Sequence, residues 1–321
     1  MDIIYTKSSV EYPGNTFPEG AYRLENIAEI GKKFQVQSAD ESFITAIHSE
    51  ELISQIQESG RHHGHLAEVA TDEQTYDFAR DSVALAWKGV QESAFACTRP
   101  PGHHTTAATA KGFCFLNNMA IVTQQLVNQG KKVCILDFDG HQGDGTEQLF
   151  YANDQVLFFS IHQEYVYPYF YLGYDTNKGY DITVDRTGEG DGEGFTFNTP
   201  APRDSGDDVL LEWVEHFLPT IQDFAPDIIG ISAGFDGYRK DALLNLRYTL
   251  AGYYHFGQTV RKFDIPVFAL LEGGYHKDIP ECISALVAGL DNKNFPGENS
   301  TPKQSTREEL ERFRFYLEKN G

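Results

Sequence analysis

Residues 136–145 read LDFDGHQGDG and extend the apolar run VCIL at 133–136. Four chemically active side chains, Asp137, Asp139, His141 and Asp144, therefore sit where an apolar run ends. The run has no polar alternation, which predicts a strand buried on both faces. Side chains two apart in a strand share a face. If strand geometry persists, Asp139 and His141 project together, offering a carboxylate and an imidazole to a divalent metal. Carboxylates left uncompensated at the end of a buried strand are costly, and a cation would remove that cost. The plainer alternative is a turn capped by aspartate beside a hydrogen-bonded histidine.

Other apolar runs end the same way. Residues 94–97 lead into RPPGHH at 99–104, and 156–159 lead into Ser160, Ile161 and His162. Residues 228–231 lead into SAGFD at 232–236, and 267–271 into EGGYH at 272–276. Helical patterns lie between them. Residues 118–128 stop before a C-capping Gly130. Over 207–224, Leu210, Val214, Phe217, Leu218 and Ile221 make one apolar stripe. Thr249 is placed to cap a helix through Tyr253, Phe256 and Val260. Strand–helix alternation predicts an α/β fold, an open parallel sheet with helices on both faces. Ligands of such sheets bind beyond the carboxyl ends of the strands. All the polar clusters fall on that edge.

The clusters suggest a chemistry. Asp139, His141 and Asp236 give two carboxylates and one imidazole, a set that leaves a coordination position open for water, as catalytic sites do. It suits zinc, and iron(II) or cobalt(II) would also fit. His103 and His104 can serve as base and acid if carboxylates tune them differently, and Asp137 and Asp144 are available to do so. Tyr275 follows two glycines that allow close backbone approach, and its hydroxyl could stabilise an oxyanion. By themselves, the paired histidines read as a surface loop and Tyr275 as an ordinary half-buried tyrosine.

Composition narrows the function classes. The 321 residues carry Lys+Arg 26 against Asp+Glu 47, a formal net charge of -21. Nucleic-acid binding needs a basic footprint, so none is expected. A cationic substrate is compatible. No apolar run approaches the roughly 20 residues that span a bilayer, and the first residues show no leader pattern. No membrane association is expected. Cys97, Cys114, Cys134 and Cys282 are far apart, which predicts buried free thiols and a cytoplasmic setting. No linker or repeat divides the chain, so 1–321 is expected to be one domain with a terminal helix near 305–320.

Taken in order, RPPGHH at 99–104, GFCFLNN at 112–118, DFDGHQGDG at 137–145, SAGFD at 232–236 and EGGY at 272–275 resemble the histone deacetylase superfamily. That superfamily includes acetylpolyamine amidohydrolases and acetoin-utilisation proteins. The resemblance covers about residues 10–290 and implies an arginase-like sheet and zinc-dependent removal of acetyl groups from acetyl-lysine or acetylated polyamines, as small molecule or peptide. It implies that Asp139, His141 and Asp236 are zinc ligands, that His103 contacts Asp137, and that His104 is the general base and acid contacting Asp144. It implies that Tyr275 polarises the carbonyl, and that Phe113 and Tyr167, with Gly112 and Gly274, line the acyl tunnel. Glu68 would be a rim acid. Asp137, Asp139, His141, Ser160 and Ile161 would hold a structural potassium ion. Arg23, in FPEGAYRL at 17–24, matches an arginine beneath the site.

The chain departs from the family pattern in three places. Gln142 stands where a second histidine is usual, Gly20 where an arginine is usual, and Tyr167 where a phenylalanine is usual. Two other classes remain. A binuclear ureohydrolase of the arginase type would need a further carboxylate after Asp139-Gly-His141-Gln, where Gly143 stands. A silent acyl-binding module would be expected to have lost Tyr275 or a histidine. The histidines of RHHGH at 61–65 could bind a second metal, but Gly60 and Gly64 favour an exposed loop.

Overall fold

The computed structural model describes residues 1–15, 17–169, 178–295 and 303–320. Its strands in chain order are β1 (Ile3–Tyr5), β2 (Lys32–Lys33), β3 (His65–Leu66), β4 (Val69–Ala70), β5 (Phe95–Ala96), β6 (Val133–Asp137), β7 (Val156–Gln163), β8 (Thr196–Ala201), β9 (Ile228–Ala233) and β10 (Val267–Leu271). The helices are α1 (Lys7–Glu11), α2 (Glu41–Ile44), α3 (Glu50–Arg61), α4 (Thr75–Glu92), α5 (Asn118–Val127), α6 (Asp144–Phe150), α7 (Asp207–His216), α8 (Leu218–Phe224), α9 (Leu250–Arg261), α10 (Ile279–Leu290) and α11 (Arg307–Asn320).

Eight strands form one parallel sheet in the order β2-β1-β5-β10-β9-β6-β7-β8, and β3 and β4 form a separate antiparallel pair. The chain runs outward from β6 through β7 to β8, then crosses back to lay β9 on the other side of β6. That reversal opens a crevice at the carboxyl ends of β6 and β9, the place where ligands of such sheets sit.

The continuous apolar character of β6 follows from burial on both faces. Cys134 and Leu136 pack with α7, α9 and α10 through Trp213, Phe256 and Leu286. Val133 and Ile135 face the other way onto Met119, Ala120 and Leu85 of α5 and α4. Each such side chain contributes about 1.5–3 kcal/mol by leaving water. A polar residue on either face would lose that and leave a buried group unpaired.

The expected α5 is present. Asn117 accepts Ala120 N–H as its cap, and Gly130, at φ 77°, follows its end. The single helix expected over 207–224 is instead two. Pro219 lacks a backbone N–H, so the ladder is interrupted at Phe217 and a new helix starts at Leu218. All four cysteines are free and buried. At the far edge, Pro200 is tolerated because β8 pairs on one side only. Helix α11 packs against this strand, and the Asn320 amide donates to the carbonyl of Asn198 at 2.7 Å.

Candidate active site

Strand geometry stops at Asp137, so the pleat does not aim Asp139 and His141 as the sequence suggested. Carboxylates build the turn instead. Asp137 Oδ1 accepts Asp139 N–H at 3.1 Å, and Asp139 Oδ1 accepts His141 N–H at 2.9 Å. Phe138 between them is fully buried against Phe235 and Phe256 and anchors the turn in the core. Asp236 arrives from the loop after β9. One donor atom from each of Asp139, His141 and Asp236 lies within 4.8 Å of the other two.

The electrostatics of this trio fit a cation. His141 Nδ1 lies 2.6 Å from Asp236 Oδ2 and 3.3 Å from Asp139 Oδ1. Burial, reinforced by the Asp139 charge, pushes the Asp236 carboxyl up to about 7. Burial works against a charged His141, yet Asp236 and Asp139 pull its imidazole up to about 10. Two crowded, desolvated carboxylates stabilise positive charge between them, which a divalent metal would supply. Oxygen and imidazole donors are also the right chemistry for such an ion.

The tandem histidines stand beside the trio. Their turn is fixed by Glu272, whose Oε2 accepts the N–H groups of Gly102 at 2.7 Å and His103 at 3.1 Å. His103 Nδ1 lies 3.1 Å from Asp137 Oδ2, and His104 Nδ1 lies 2.8 Å from Asp144 Oδ1. The pairing therefore matches the expectation. The rings lie 4.0 Å apart, and their surroundings push their pKa values in opposite directions. Burial opposes a charged His103, but Asp139 and Asp137 outweigh it and raise its pKa well above the usual value. For His104, burial and the neighbouring His103 both act against charge, and its pKa falls to about 4. Neutral His104, with Nδ1 engaged by Asp144, keeps Nε2 for the cavity.

That cavity, of about 180 Å³, is lined by Glu68, His104, Gly112, Phe113, His141, Tyr167, Leu243 and Tyr275. Phe113 and Tyr275 meet edge to face at 5.6 Å, and Tyr167 stands perpendicular to His104 at 5.0 Å. Phe113 adopts φ 66°, a conformation that costs free energy in a non-glycine residue. Gly112, at φ 59°, must lack a side chain, because a Cβ there would come within 2.4 Å of the His104 ring. Gly274, at φ 112°, is equally constrained by Ile279 and Phe235. Tyr275 is 6% exposed, and burial raises its hydroxyl pKa well above 10, so it holds a proton to donate.

Arg23 is fully buried beneath this ring. It donates to Gly274 O at 2.6 Å, pairs with Glu19 at 2.6 Å, and lies 5.1 Å from the Tyr275 ring centre. Arg99 bonds the same Glu19 at 2.8 Å, so two guanidiniums share one carboxylate. Gln142 turns away from the trio. Its Nε2 donates to Glu147 at 2.6 Å and Asn198 at 3.1 Å. Glu68 is exposed at the rim, and its Oε2 accepts Gly112 N–H at 2.8 Å. Asp137 and Ser160 stand opposite one another in the β6–β7 register, with Ile161 next along the strand. His62, His63 and His65 are exposed and outside the trio.

Several contributors were missed. Lys111 pairs with Asp144. Asp241 accepts Tyr275 N–H at 2.7 Å, and Leu243 from the same loop forms part of the cavity wall. None carries a spacing signal, because each acts on a partner distant in sequence.

The histone deacetylase domain matches residues 14–290. The chain is 41% identical over 186 residues to acetylpolyamine amidohydrolase 1 of Pseudomonas aeruginosa, covering 57% of this chain and 51% of that protein. It is 39% identical over 212 residues to a probable deacetylase of Archaeoglobus fulgidus, covering 62% and 56%. It thus spans about half the length of these curated relatives. Among solved structures, the HD domain of HDA15 superposes with TM-score 0.84 at 24% identity, covering 99% of this chain and 94% of that one. An acetylpolyamine aminohydrolase from Burkholderia pseudomallei superposes with TM-score 0.76 at 26% identity, covering 90% and 98%. With an eight-stranded parallel sheet, the ordered motifs and a match over residues 14–290, this chain belongs to the histone deacetylase domain family.

Proposed function

We propose that the protein is a metal-dependent amidohydrolase that removes an acetyl group from an amine, with acetyl-lysine or an acetylated polyamine as substrate. The observation that carries this reading is the convergence on one narrow cavity of the Asp139–His141–Asp236 trio, the His104–Asp144 pair and the Tyr275 hydroxyl. Relatives named acetylpolyamine amidohydrolase support the substrate class.

Zinc held by Asp139, His141 and Asp236, with iron(II) or cobalt(II) as substitutes, would supply Lewis-acid polarisation and acidification of water. The chain's own residues do the rest. Phe113 and Tyr167 flank the acetylated stem and exclude water from it. Neutral His104 takes a proton from the attacking water through Nε2, while Asp144 holds its Nδ1 and stabilises the imidazolium that forms. Tyr275 donates to the oxyanion that develops on the carbonyl oxygen. As the carbon–nitrogen bond breaks, His104 returns the proton to the amine, leaving acetate. His103, beside Asp139 and bonded to Asp137, helps keep His104 neutral. Asp137, Asp139, His141, Ser160 and Ile161 would hold a potassium ion, which would stiffen the β6–β7 end. The four buried thiols favour a reducing, cytoplasmic setting, and among the described residues no helix is long and apolar enough to cross a membrane.

The test is acetate release by the zinc-loaded protein from acetyl-lysine peptides and from acetylated polyamines. Turnover of either with one tightly bound zinc supports the reading. Two tightly bound manganese ions with urea release would instead support a ureohydrolase, and binding without turnover a silent module.

A further inference from the structure

The family match ends at residue 290, before α11 begins. Yet α11 reaches the loop that carries the tunnel wall. Arg312 Nε donates to Glu164 Oε2 at 2.6 Å, and a second guanidinium nitrogen donates to the Tyr165 hydroxyl at 3.1 Å. One turn on, the Tyr316 hydroxyl donates to the same Glu164 oxygen at 2.9 Å and accepts Asp181 N–H at 3.1 Å. Asp181 in turn accepts Tyr165 N–H at 2.8 Å. The guanidinium carbon lies 5.7 Å from the Tyr165 ring centre and 5.9 Å from that of Tyr316.

Glu164 follows directly on β7, and Tyr167 is three residues later. Between them, Tyr165 sits at φ 56°, a left-handed conformation that a tyrosine does not hold unaided. The bonds from α11 fall on the two residues where the chain leaves the strand and turns. These two residues lie just before Tyr167, which lines the cavity. An exposed ion pair would do little of this. Here the Arg312 side chain is 40% exposed but Glu164 only 12%, and Glu164 shares its charge with a guanidinium and a phenol, a network rather than a lone pair.

We propose that Arg312 and Tyr316 of α11 are positioning residues for the acyl tunnel: by fixing Glu164 and Tyr165 they set where Tyr167 stands against His104 and the substrate stem. This rests on the reading of the cavity as an acyl-amine tunnel. Loosening the clamp weakens grip on the stem and raises KM, while His104 after β5, Asp144 of α6 and Tyr275 after β10 stay in place.

The experiment compares the full-length wild type with Arg312→Met, Arg312→Lys, Tyr316→Phe, Tyr167→Ala and the Arg312→Met/Tyr167→Ala pair. Steady-state kinetics use an acetyl-lysine peptide and N-acetylputrescine. Hydrogen exchange is followed over residues 164–169, with β9 as reference. Arg312→Met is expected to raise KM by about fivefold with kcat within about twofold, an effect of the size found for coupled neighbours. Arg312→Lys is expected to recover part of it. In the Tyr167→Ala background the same substitution should change KM by less than about twofold, since the residue it positions is gone. Exchange over 164–169 should quicken while β9 is unchanged. Should Arg312→Met misfold, Tyr316→Phe carries the same comparison with one atom removed. An unchanged KM, or an Arg312→Met effect that persists in full without Tyr167, overturns the proposal. If the wild type releases acetate from neither substrate, the proposed function fails, and unchanged exchange over 164–169 would still sink the clamp by itself.

Discussion

Replacing Tyr275 with phenylalanine removes one oxygen from the centre of the proposed chemistry and little else. The ring is held by the Arg23 guanidinium at 5.1 Å and by Phe113 at 5.6 Å, and both contacts survive the change. The backbone is pinned separately, through Tyr275 N–H to Asp241 at 2.7 Å. Stability should therefore change by less than about 1 kcal/mol, the size of one ordinary hydrogen bond. Catalysis should suffer far more. Burial raises the hydroxyl pKa well above 10, so at neutral pH it is a donor on a residue only 6% exposed. Losing one such oxyanion donor costs about 100- to 1000-fold in kcat, or about 2.7–4 kcal/mol. The loss should fall on kcat with KM little changed, because the donor acts on charge that exists only in the transition state. Acetate release measured under saturating substrate, with metal content by elemental analysis and unfolding by calorimetry, separates these effects. Near-normal kcat in a metal-replete, folded variant would refute the assignment and leave Tyr275 as packing.

Asp236→Asn should abolish tight zinc binding and turnover together, since three protein donors leave no redundancy; equilibrium dialysis showing stoichiometric zinc with normal rates would contradict this. Gln142→His should leave metal content unchanged and alter rate only modestly, because Gln142 faces Glu147 and Asn198; zinc loss would show that the turn is arranged otherwise. His48 is 3% exposed, and its Nε2 accepts Asn117 N–H at 2.9 Å while Nδ1 donates to Thr106 O at 2.9 Å. Burial lowers its pKa to about 4, so between that value and about 6.5 the unfolded chain binds a proton that the folded chain does not. Stability is complete above about 6.5 and declines as pH falls toward 4, by up to about 3 kcal/mol. Urea titrations across pH 5–8 should show a flatter curve for His48→Gln, and parallel curves would dismiss the effect.

The sequence by itself determined the sheet and most of the candidates for the site. Apolar runs ending in polar clusters imply strands buried on both faces with their chemistry at one edge, because periodicity and burial are local consequences of side-chain type. The doublets and ordered motifs likewise singled out His103, His104, Asp139, His141, Asp236 and Tyr275 as candidates. Only the tertiary structure decided how they converge. Asp139 and His141 meet through a turn built by carboxylates, not through a strand pleat. The helix expected across 207–224 breaks at a proline whose missing N–H the apolar stripe could not reveal. Lys111 on Asp144, Glu272 under the histidine turn and Arg312 on Glu164 and Tyr165 each act across a gap in sequence that no motif spans. A hydrogen bond or ion pair depends on distance in space, and the order of residues fixes that distance only after the chain has folded.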